Sequence, residues 1–366
     1  MDHAPSSADG SAPACPWLLR LPGLFDALSG EVFPRLGAES PKRLGREYHW
    51  VRLPGPAALH EAEASVFLRW NLPLEHAWPC SPAKTDGFVE KAAQALLAKF
   101  GPRAPQGIFT AALHPTSPDR YFRQLASNLR GRLVQVFPAL RALRVEDQDP
   151  EAETLFALVG KEGLYAGMQS PRLSNGFFPG GSRYLAQDEP ETISRAGAKI
   201  AEALHYLRLH RPVPPPGAHW LELGACPGGM TSELLARGQR VTAIDRAPLD
   251  PRLDGRAGLT FVLGDATRFS PPAAQRYDSL LCDMNGPAAE SIAAVTRLSA
   301  FVRDGGLVVF TLKLPRVEAV SEPLELLGRT VATARRAGLR LFAKTHLTYN
   351  RHEFTLFFER DQAPEN

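Results

Sequence analysis

Hydrophobic residues follow two alternating patterns in the second half of the chain. Short apolar runs typical of buried strands alternate with stretches whose apolar residues repeat every three to four positions, as in helices. The predicted strands are HWLELGA, RVTAID, LTFVLGD, YDSLLCD and GLVVFTLKL, and the predicted helices are ISRAGAKIAEALHYLRL, TSELLARG, AAESIAAVTRLSAFV and EPLELLGRTVATARRAG. LRLFAKTHL and EFTLFFER close the chain as a predicted antiparallel pair. This alternation predicts an α/β domain with a mostly parallel sheet and an antiparallel last strand.

The first half of the chain has a less regular pattern. EASVFLRW, GIFTAAL and TLFALVG indicate short strands, and DGFVEKAAQALLAKF indicates an amphipathic helix. Residues 166–190 are rich in Gly, Pro, Ser and Asn, which is typical of a linker or an ordered loop. We therefore predict a disordered tail over 1–14, an α+β domain over 15–165, a linker over 166–190 and the α/β domain over 191–366.

Composition narrows the class of protein. A chain of 366 residues is long enough for two domains. No apolar stretch has the length of a membrane span, and the start of the chain lacks a signal-peptide pattern, so we expect a cytoplasmic protein without membrane contact. The cysteines show neither metal-ligand nor disulfide spacing, so no metal site is predicted; they are Cys15, Cys80, Cys226 and Cys282. The net charge of +3 is too small to indicate nucleic-acid binding by itself.

One lysine stands out against this composition. The strand VVFTLKLP ends with Lys313, although the chain has 34 arginines and only eight lysines. A buried lysine can lose its proton, whereas an arginine cannot. Lys313 is therefore either a solvated charge at the end of a strand or a group whose chemistry requires an amine.

Candidate cofactor residues follow four consecutive predicted strands. LELGACPGG carries a glycine-rich loop after the first strand, and Asp245, Asp265 and Asp283 end the next three. These positions lie at the carboxyl edge of the sheet, where open α/β folds bind ligands. The loop departs from the G-x-G-x-x-G pattern of nicotinamide-binding domains. Successive acids suit S-adenosylmethionine better, because its ribose, adenine amino group and cationic methionyl end attract acceptors or negative charge.

With these residues, the chain from about 190 to 366 resembles the FtsJ-like RNA ribose 2′-O-methyltransferases, and most closely the bacterial large-subunit rRNA cytidine 2′-O-methyltransferases. The matching motifs are ELGACPGG, CDM at 282–284, TLKLP at 311–315, RHE at 351–353 and the S-R-x-x-x-K helix from Ser194 to Lys199. Met230 departs from the usual Trp, and NGPAAE after Asp283 lacks the usual charged residues. The resemblance implies a Rossmann-like, S-adenosylmethionine-dependent methyltransferase domain, preceded by a domain of THUMP type that binds RNA.

The resemblance also implies a catalytic tetrad of Lys199, Asp283, Lys313 and Glu353. Lys313 is the expected general base, and we predict that burial and the cation of Lys199 lower its pKa. Asp283 would position the lysines and face the methyl donor, while Glu353 would orient Lys199 and the hydroxyl. The expected cofactor-binding residues are Ser194, Gly224, Cys226, Pro227, Gly228, Gly229, Asp245, Asp265 and Asp283. For Ser194, a role as helix N-cap is an equal alternative. Cys226 is more simply a small loop residue whose backbone makes the contact.

Methylation of a ribose 2′-hydroxyl presupposes RNA, so the expected partner is 23S rRNA or a ribosomal precursor rather than DNA, with a monomer favoured. The run from residue 120 to 144 is either an RNA-backbone surface or a solvated helix face; its arginines are Arg120, Arg123, Arg130, Arg132, Arg141 and Arg144. Two other functions stay open. They are a nicotinamide-dependent oxidoreductase and a catalytically inactive, methyltransferase-like RNA-binding protein.

Overall fold

The computed structural model describes residues 14–56, 59, 62–113, 120–137, 148–181, 192–315 and 317–361. The chain divides into two compact units. The first contains Met1–Ser65, Trp70–Ala142 and Glu153–Gln169, and the second contains Val66–Arg69, Leu143–Ala152 and Ser170–Asn366. Apart from Ala14, the predicted tail lies outside the described residues. Within the described ranges, no helix is both long and apolar enough to cross a membrane.

The first unit is an α+β structure with two four-stranded sheets. Its strands are β1 Cys15–Arg20, β2 Glu39–Leu44, β3 Tyr48–Leu53, β4 Trp70–Pro73, β5 His76–Trp78, β6 Gly107–Ala112, β7 Thr154–Gly160 and β8 Gly163–Gln169. Its helices are α1 Ser29–Arg35, α2 Phe88–Phe100 and α3 Tyr121–Val136. One sheet has the antiparallel order β2-β3-β1-β4. The other has the order β5-β8-β7-β6, in which only β6 and β7 are parallel, and α2 and α3 share its apolar core.

The sequence predicted most of this unit's elements, with two differences. GIFTAAL, TLFALVG and DGFVEKAAQALLAKF form β6, β7 and α2, as predicted. EASVFLRW is not a strand, because Glu63–Phe67 is a 3-10 helix and only Trp70 begins a strand. Its apolar run has a different cause, since Val66, Phe67 and Leu68 are buried. The predicted linker also starts too early, because residues 166–169 complete β8.

The second unit has the predicted α/β architecture. Its strands are β9 His219–Leu223, β10 Arg240–Asp245, β11 Leu259–Leu263, β12 Tyr277–Cys282, β13 Val302–Lys313, β14 Leu339–Thr345 and β15 Glu353–Arg360. Its helices are α4 Ala196–Leu207, α5 Gly229–Ala236, α6 Ala288–Leu298 and α7 Ser321–Arg336. The sheet order is β11-β10-β9-β12-β13-β15-β14, and only β15 is antiparallel to its neighbours. This Rossmann-like sheet confirms the predicted fold class.

The strand order reverses between β9 and β12, which places a ligand crevice at their carboxyl ends. Apolar residues hold the sheet and α4 together: Trp220 is fully buried, and Ile200, Leu204 and Leu207 of α4 lie in the same core. The second unit also takes residues that the predicted domain 191–366 omits. Phe177 lies in its core, and Val66–Arg69 belongs to it although the chain on both sides belongs to the first unit.

Candidate active site

Four side chains of alternating charge meet at the carboxyl edge of the second unit's sheet. Lys313 Nζ lies 2.6 Å from Asp283 Oδ1 and 2.7 Å from Glu353 Oε2. Lys199 Nζ lies 3.1 Å from Asp283 Oδ2 and 2.5 Å from Glu353 Oε1. Each lysine therefore contacts both acids, and each acid contacts both lysines. The structure brings together all four members of the predicted tetrad.

Different elements deliver these side chains to one point. Lys199 lies on α4, Asp283 follows β12, Lys313 ends β13 and Glu353 begins β15. Asp283 and Lys313 meet because β12 and β13 are parallel neighbours that end at the same edge. Lys313 and Glu353 are direct partners in the antiparallel register. The ring is thus a consequence of the sheet topology.

The ring holds Lys313 in its charged form. The side chains of Lys199, Asp283, Lys313 and Glu353 are 11%, 16%, 24% and 8% exposed, so water screens their charges little. Burial by itself lowers the pKa of Lys313, but the Asp283 and Glu353 carboxylates outweigh it, so the net effect is a raised pKa. The predicted lowering of this pKa is therefore wrong for the ring as it stands, because two carboxylates touch the ammonium.

A cleft of about 260 Å³ adjoins the ring and shares Asp283 with it. Its walls come from the loops after β9, β10, β11 and β12. Of the predicted cofactor residues, those that line the cleft are Gly224, Cys226, Pro227, Gly229, Asp245, Asp265 and Asp283. Ser194 and Gly228 are not among its lining residues.

The glycine-rich loop requires its glycines for close packing. Gly224 has a φ of +80°, and a Cβ there would lie 2.8 Å from Met284 Cα. A Cβ on Gly229 would come within 2.1 Å of Ser194 Oγ. Ser194 therefore contacts the loop rather than the cleft. Its Oγ accepts a bond from the Ala196 N–H at 3.3 Å, but the N-cap residue of α4 is Arg195, so the structure does not make Ser194 the cap.

The acids after β10 and β11 already have partners in the protein. Asp245 accepts bonds from the N–H groups of Cys226 and Ala247, both at 2.9 Å, so it fixes the glycine-rich loop. Asp265 accepts from the Thr267 hydroxyl at 2.7 Å and from Arg246 at 2.6 Å. These bonds lower the pKa of Asp265 to about 2, so its carboxylate stays ionised at neutral pH.

Glu222 is a cleft residue that the sequence reasoning missed. It lies in β9, is 2% exposed and accepts a bond from the Thr231 hydroxyl at 2.7 Å. Burial raises its pKa to about 8; the Thr231 bond opposes this, and the charges of Asp283 and Asp245 add to it. An acid within the apolar strand HWLEL is the same signal that drew attention to Lys313, and it could have identified Glu222.

The arginines between residues 120 and 144, predicted as an RNA-backbone surface or a solvated helix face, differ in their contacts. Arg132 Nε lies 2.6 Å from Glu90 Oε2, and Arg130 lies over the Phe109 ring at 5.2 Å, so both have structural contacts. Arg120 and Arg123 are exposed at the start of α3. Arg141 and Arg144 lie outside the described residues.

Comparison with known proteins shows similarity to methyltransferases. Residues 192–324 match the family of FtsJ-like methyltransferases. The Ribosomal RNA large subunit methyltransferase M of Halorhodospira halophila is 32% identical over 66% of this chain and 65% of its own length. The protein of that name from Laribacter hongkongensis is 33% identical over 58% of this chain and 65% of its own.

The matched region covers just under two thirds of these relatives. Among solved structures, Aeropyrum pernix fibrillarin, crystallised with S-adenosyl-L-methionine, aligns at 20% identity over 58% of this chain and 85% of its own, with a TM-score of 0.35. That likeness is too weak to bear on function. The family match and the curated relatives confirm the resemblance drawn from the motifs.

Proposed function

We propose that this chain transfers a methyl group from S-adenosylmethionine to a ribose 2′-hydroxyl of RNA. The observation that carries the proposal is the closed ring of Lys199, Asp283, Lys313 and Glu353 beside an acidic cleft, with Asp283 common to both. An ion-pair ring needed only for stability would have no reason to end at a ligand-sized cleft.

The chemistry of the cleft fits S-adenosylmethionine. Its lining includes the carboxylates of Asp245, Asp265 and Asp283. Asp245 and Asp265 would hold the ribose hydroxyls and the adenine amino group, and Asp283 would face the cationic methionyl end. When bound, the cofactor supplies an electrophilic methyl group on a positively charged sulfur.

The ring would take up the proton that the attacking ribose hydroxyl loses. A ribose hydroxyl is a poor nucleophile while it is protonated, so a general base is needed. The Lys313 amine would accept that proton, and Lys199 and Glu353 would hold the hydroxyl oxygen and its proton in position. Asp283 would keep both lysines at the mouth of the cleft.

Lys313 must be neutral to accept a proton, whereas the ring raises its pKa. The two carboxylates that favour the ammonium form are Asp283 and Glu353. A further cation against Asp283 would reduce its pull on Lys313, and burial would then favour the neutral amine. Lys313 would thus become a base only when the cleft is filled.

We infer a large-subunit rRNA as the substrate from the names of the curated relatives, and a cytidine of 23S rRNA from the motif resemblance. The first unit would recruit the RNA, as the resemblance to proteins with a THUMP domain implies. Such a substrate would place the protein in the cytoplasm. Met230, which stands where the family has Trp, is buried in α5 and lines the cleft.

The two alternatives explain the site less well. A nicotinamide-dependent oxidoreductase would not use a lysine ring, and its phosphate-binding glycine pattern is broken by Pro227. An inactive RNA-binding protein would have no need for four closely paired charges.

Mapping 2′-O-methyl groups on rRNA from cells with and without the protein tests the proposal. Loss of one 23S methyl group, restored by the wild-type chain but not by Lys313→Arg, is the expected result. An unchanged methylation map would refute it.

A further inference from the structure

A buried ion pair lies one helical turn behind the ring. Arg69 Nη2 lies 3.0 Å from Glu202 Oε1, and the two side chains are 4% and 1% exposed. Glu202 is on α4, three residues after Lys199, so both extend from the same helix. Buried ion pairs stabilise folds weakly, because desolvation offsets their attraction. A role in positioning would explain why the Arg69–Glu202 pair is buried here.

Glu202 also binds the loop over residues 346–352 that leads into β15. The Thr348 hydroxyl donates to Glu202 Oε1 at 2.6 Å, and the Tyr349 N–H donates to Oε2 at 3.4 Å. In the same loop, the Asn350 amide donates to the Glu353 carbonyl at 3.2 Å and to the Thr355 hydroxyl at 3.0 Å. Glu202 therefore joins the helix that carries Lys199 to the loop that delivers Glu353.

The segment Val66–Arg69 completes this arrangement from a distant part of the chain. Phe67 is fully buried and packs edge-on against the ring of Phe354, next to Glu353, with centroids 5.5 Å apart. Arg69 binds Glu202, and its carbonyl accepts a bond from the Asn175 amide at 3.2 Å. One short segment thus contacts both the start of β15 and α4.

We propose that Val66–Arg69, acting through Glu202 and Thr348, is a positioning element that holds Lys199 and Glu353 at contact distance. None of these residues is expected to touch the substrate. Rotation of α4 or movement of the loop would open the 2.5 Å contact between Lys199 and Glu353. A displacement of a catalytic group by about 1 Å can lower a rate by roughly 10²-fold. The kinetic part of the proposal rests on the proposed function.

The first experiment uses the full chain with Thr348→Val, Thr348→Ser and the double variant Arg69→Met/Glu202→Gln. The double variant removes both charges, so it leaves no buried charge unpaired. We expect kcat on rRNA to fall by roughly 10-fold in Thr348→Val and by roughly 10–100-fold in the double variant. The dissociation constant for S-adenosylmethionine should stay within about twofold, because none of these residues lines the cleft. Thr348→Ser, which keeps the hydroxyl, should restore turnover.

Thr242→Val is the matched control. Thr242 is buried, whereas Thr348 is half-buried; the Thr242 hydroxyl pairs with His219 at 2.9 Å, and neither residue of this pair belongs to the ring. Its kcat should stay near the wild-type value. Wild-type turnover in a folded double variant would overturn the proposal.

A second measurement does not depend on catalysis. The chain has eight lysines, so isotope-labelled lysine gives few side-chain NMR signals, and those of Lys199 and Lys313 can be assigned with single substitutions. Both signals should shift in Thr348→Val and in the double variant, but not in Thr242→Val. Unchanged signals in the folded double variant would refute the positioning role. If the variants shift the lysine signals as expected but the wild-type chain methylates no rRNA, the proposed function alone is refuted.

Discussion

Lys313 and Glu353 are direct register partners in the antiparallel pair β13–β15, and 2.7 Å separates Lys313 Nζ from Glu353 Oε2. The other oxygen of Glu353 lies 2.5 Å from Lys199 Nζ. Glu353 therefore links the two lysines, as Asp283 does from the other side. Because every member of the ring has two neighbours, removal of one charge changes the electrostatic environment of all the others.

Replacement of Lys313 by arginine tests its proposed role as the base. Lys313→Arg keeps the positive charge but cannot provide a neutral amine. We expect the variant to fold and bind S-adenosylmethionine, while methyl transfer to rRNA falls by about 10²–10⁴-fold. Lys344→Arg in β14 is the control and should keep near-normal turnover. Full activity of Lys313→Arg would leave Lys313 as a positioning charge only.

The charge state of Lys313 gives a prediction on pH. Its pKa is raised from the usual 10.5, so in the free protein the ammonium should persist beyond that pH, as followed by NMR of labelled lysine. Asp283→Asn should lower this pKa, because burial remains while one of the two stabilising carboxylates is gone. A bound cation in the cleft should lower it too, so S-adenosylmethionine should shift the titration towards neutral pH. An unchanged titration on cofactor binding would contradict the proposed activation.

Glu222 should make stability depend on pH. Its pKa rises from 4.5 to about 8 in the folded protein, so between these values the unfolded chain releases a proton that the folded chain keeps. Its contribution to stability is therefore full below pH 4.5 and is lost as the pH rises to about 8. Glu222→Gln should gain stability relative to wild type across this range, by a few kcal/mol at most, since one pKa unit corresponds to about 1.4 kcal/mol. Denaturant unfolding at pH 5 and pH 9 measures this difference, and an equal difference at both pH values would contradict the prediction.

The cofactor assignment can be tested by calorimetry. Asp245→Ala should weaken binding of S-adenosylmethionine by roughly 1–3 kcal/mol, because the ligand loses an acceptor and the Cys226 N–H loses its partner. Asp250→Ala is the matched control; its carboxylate binds Arg252 and does not line the cleft. Tight binding of NAD, with no response to S-adenosylmethionine, would support the oxidoreductase instead.

Recruitment of RNA by the first unit is best tested at the exposed arginines of α3. Arg120→Ala with Arg123→Ala should weaken RNA binding and reduce its salt dependence, by about 0.7 in the log–log slope for each lost phosphate contact to a single strand. Arg132→Ala is the comparison, since Glu90 already occupies that guanidinium. Filter binding at several salt concentrations gives both slopes. A larger effect from Arg132 than from the exposed pair would argue against this surface.

The sequence was sufficient for much of the second unit because the relevant signals are local. Strand and helix periodicity predicted the α/β order, and the positions at strand ends placed the glycine-rich loop, Asp245 and Asp283 at one edge. A lysine in an apolar strand pointed to Lys313, and the motif resemblance supplied its three partners. These inferences hold because side chains at the ends of neighbouring parallel strands must lie close together.

Tertiary structure alone decided the charge state of the site and the contacts behind it. The sequence placed Lys313 at the end of an apolar strand, but the direction of its pKa shift depends on how many carboxylates reach the ammonium, and two do. The sequence likewise assigned residues 63–70 to a strand of the first domain, whereas Phe67 and Arg69 pack in the second unit. Arg69 and Glu202 are 133 residues apart, and no periodicity or motif connects positions at that separation. Such contacts follow from the folded path of the chain, because an apolar or paired side chain can be buried in the core whatever its position in the sequence.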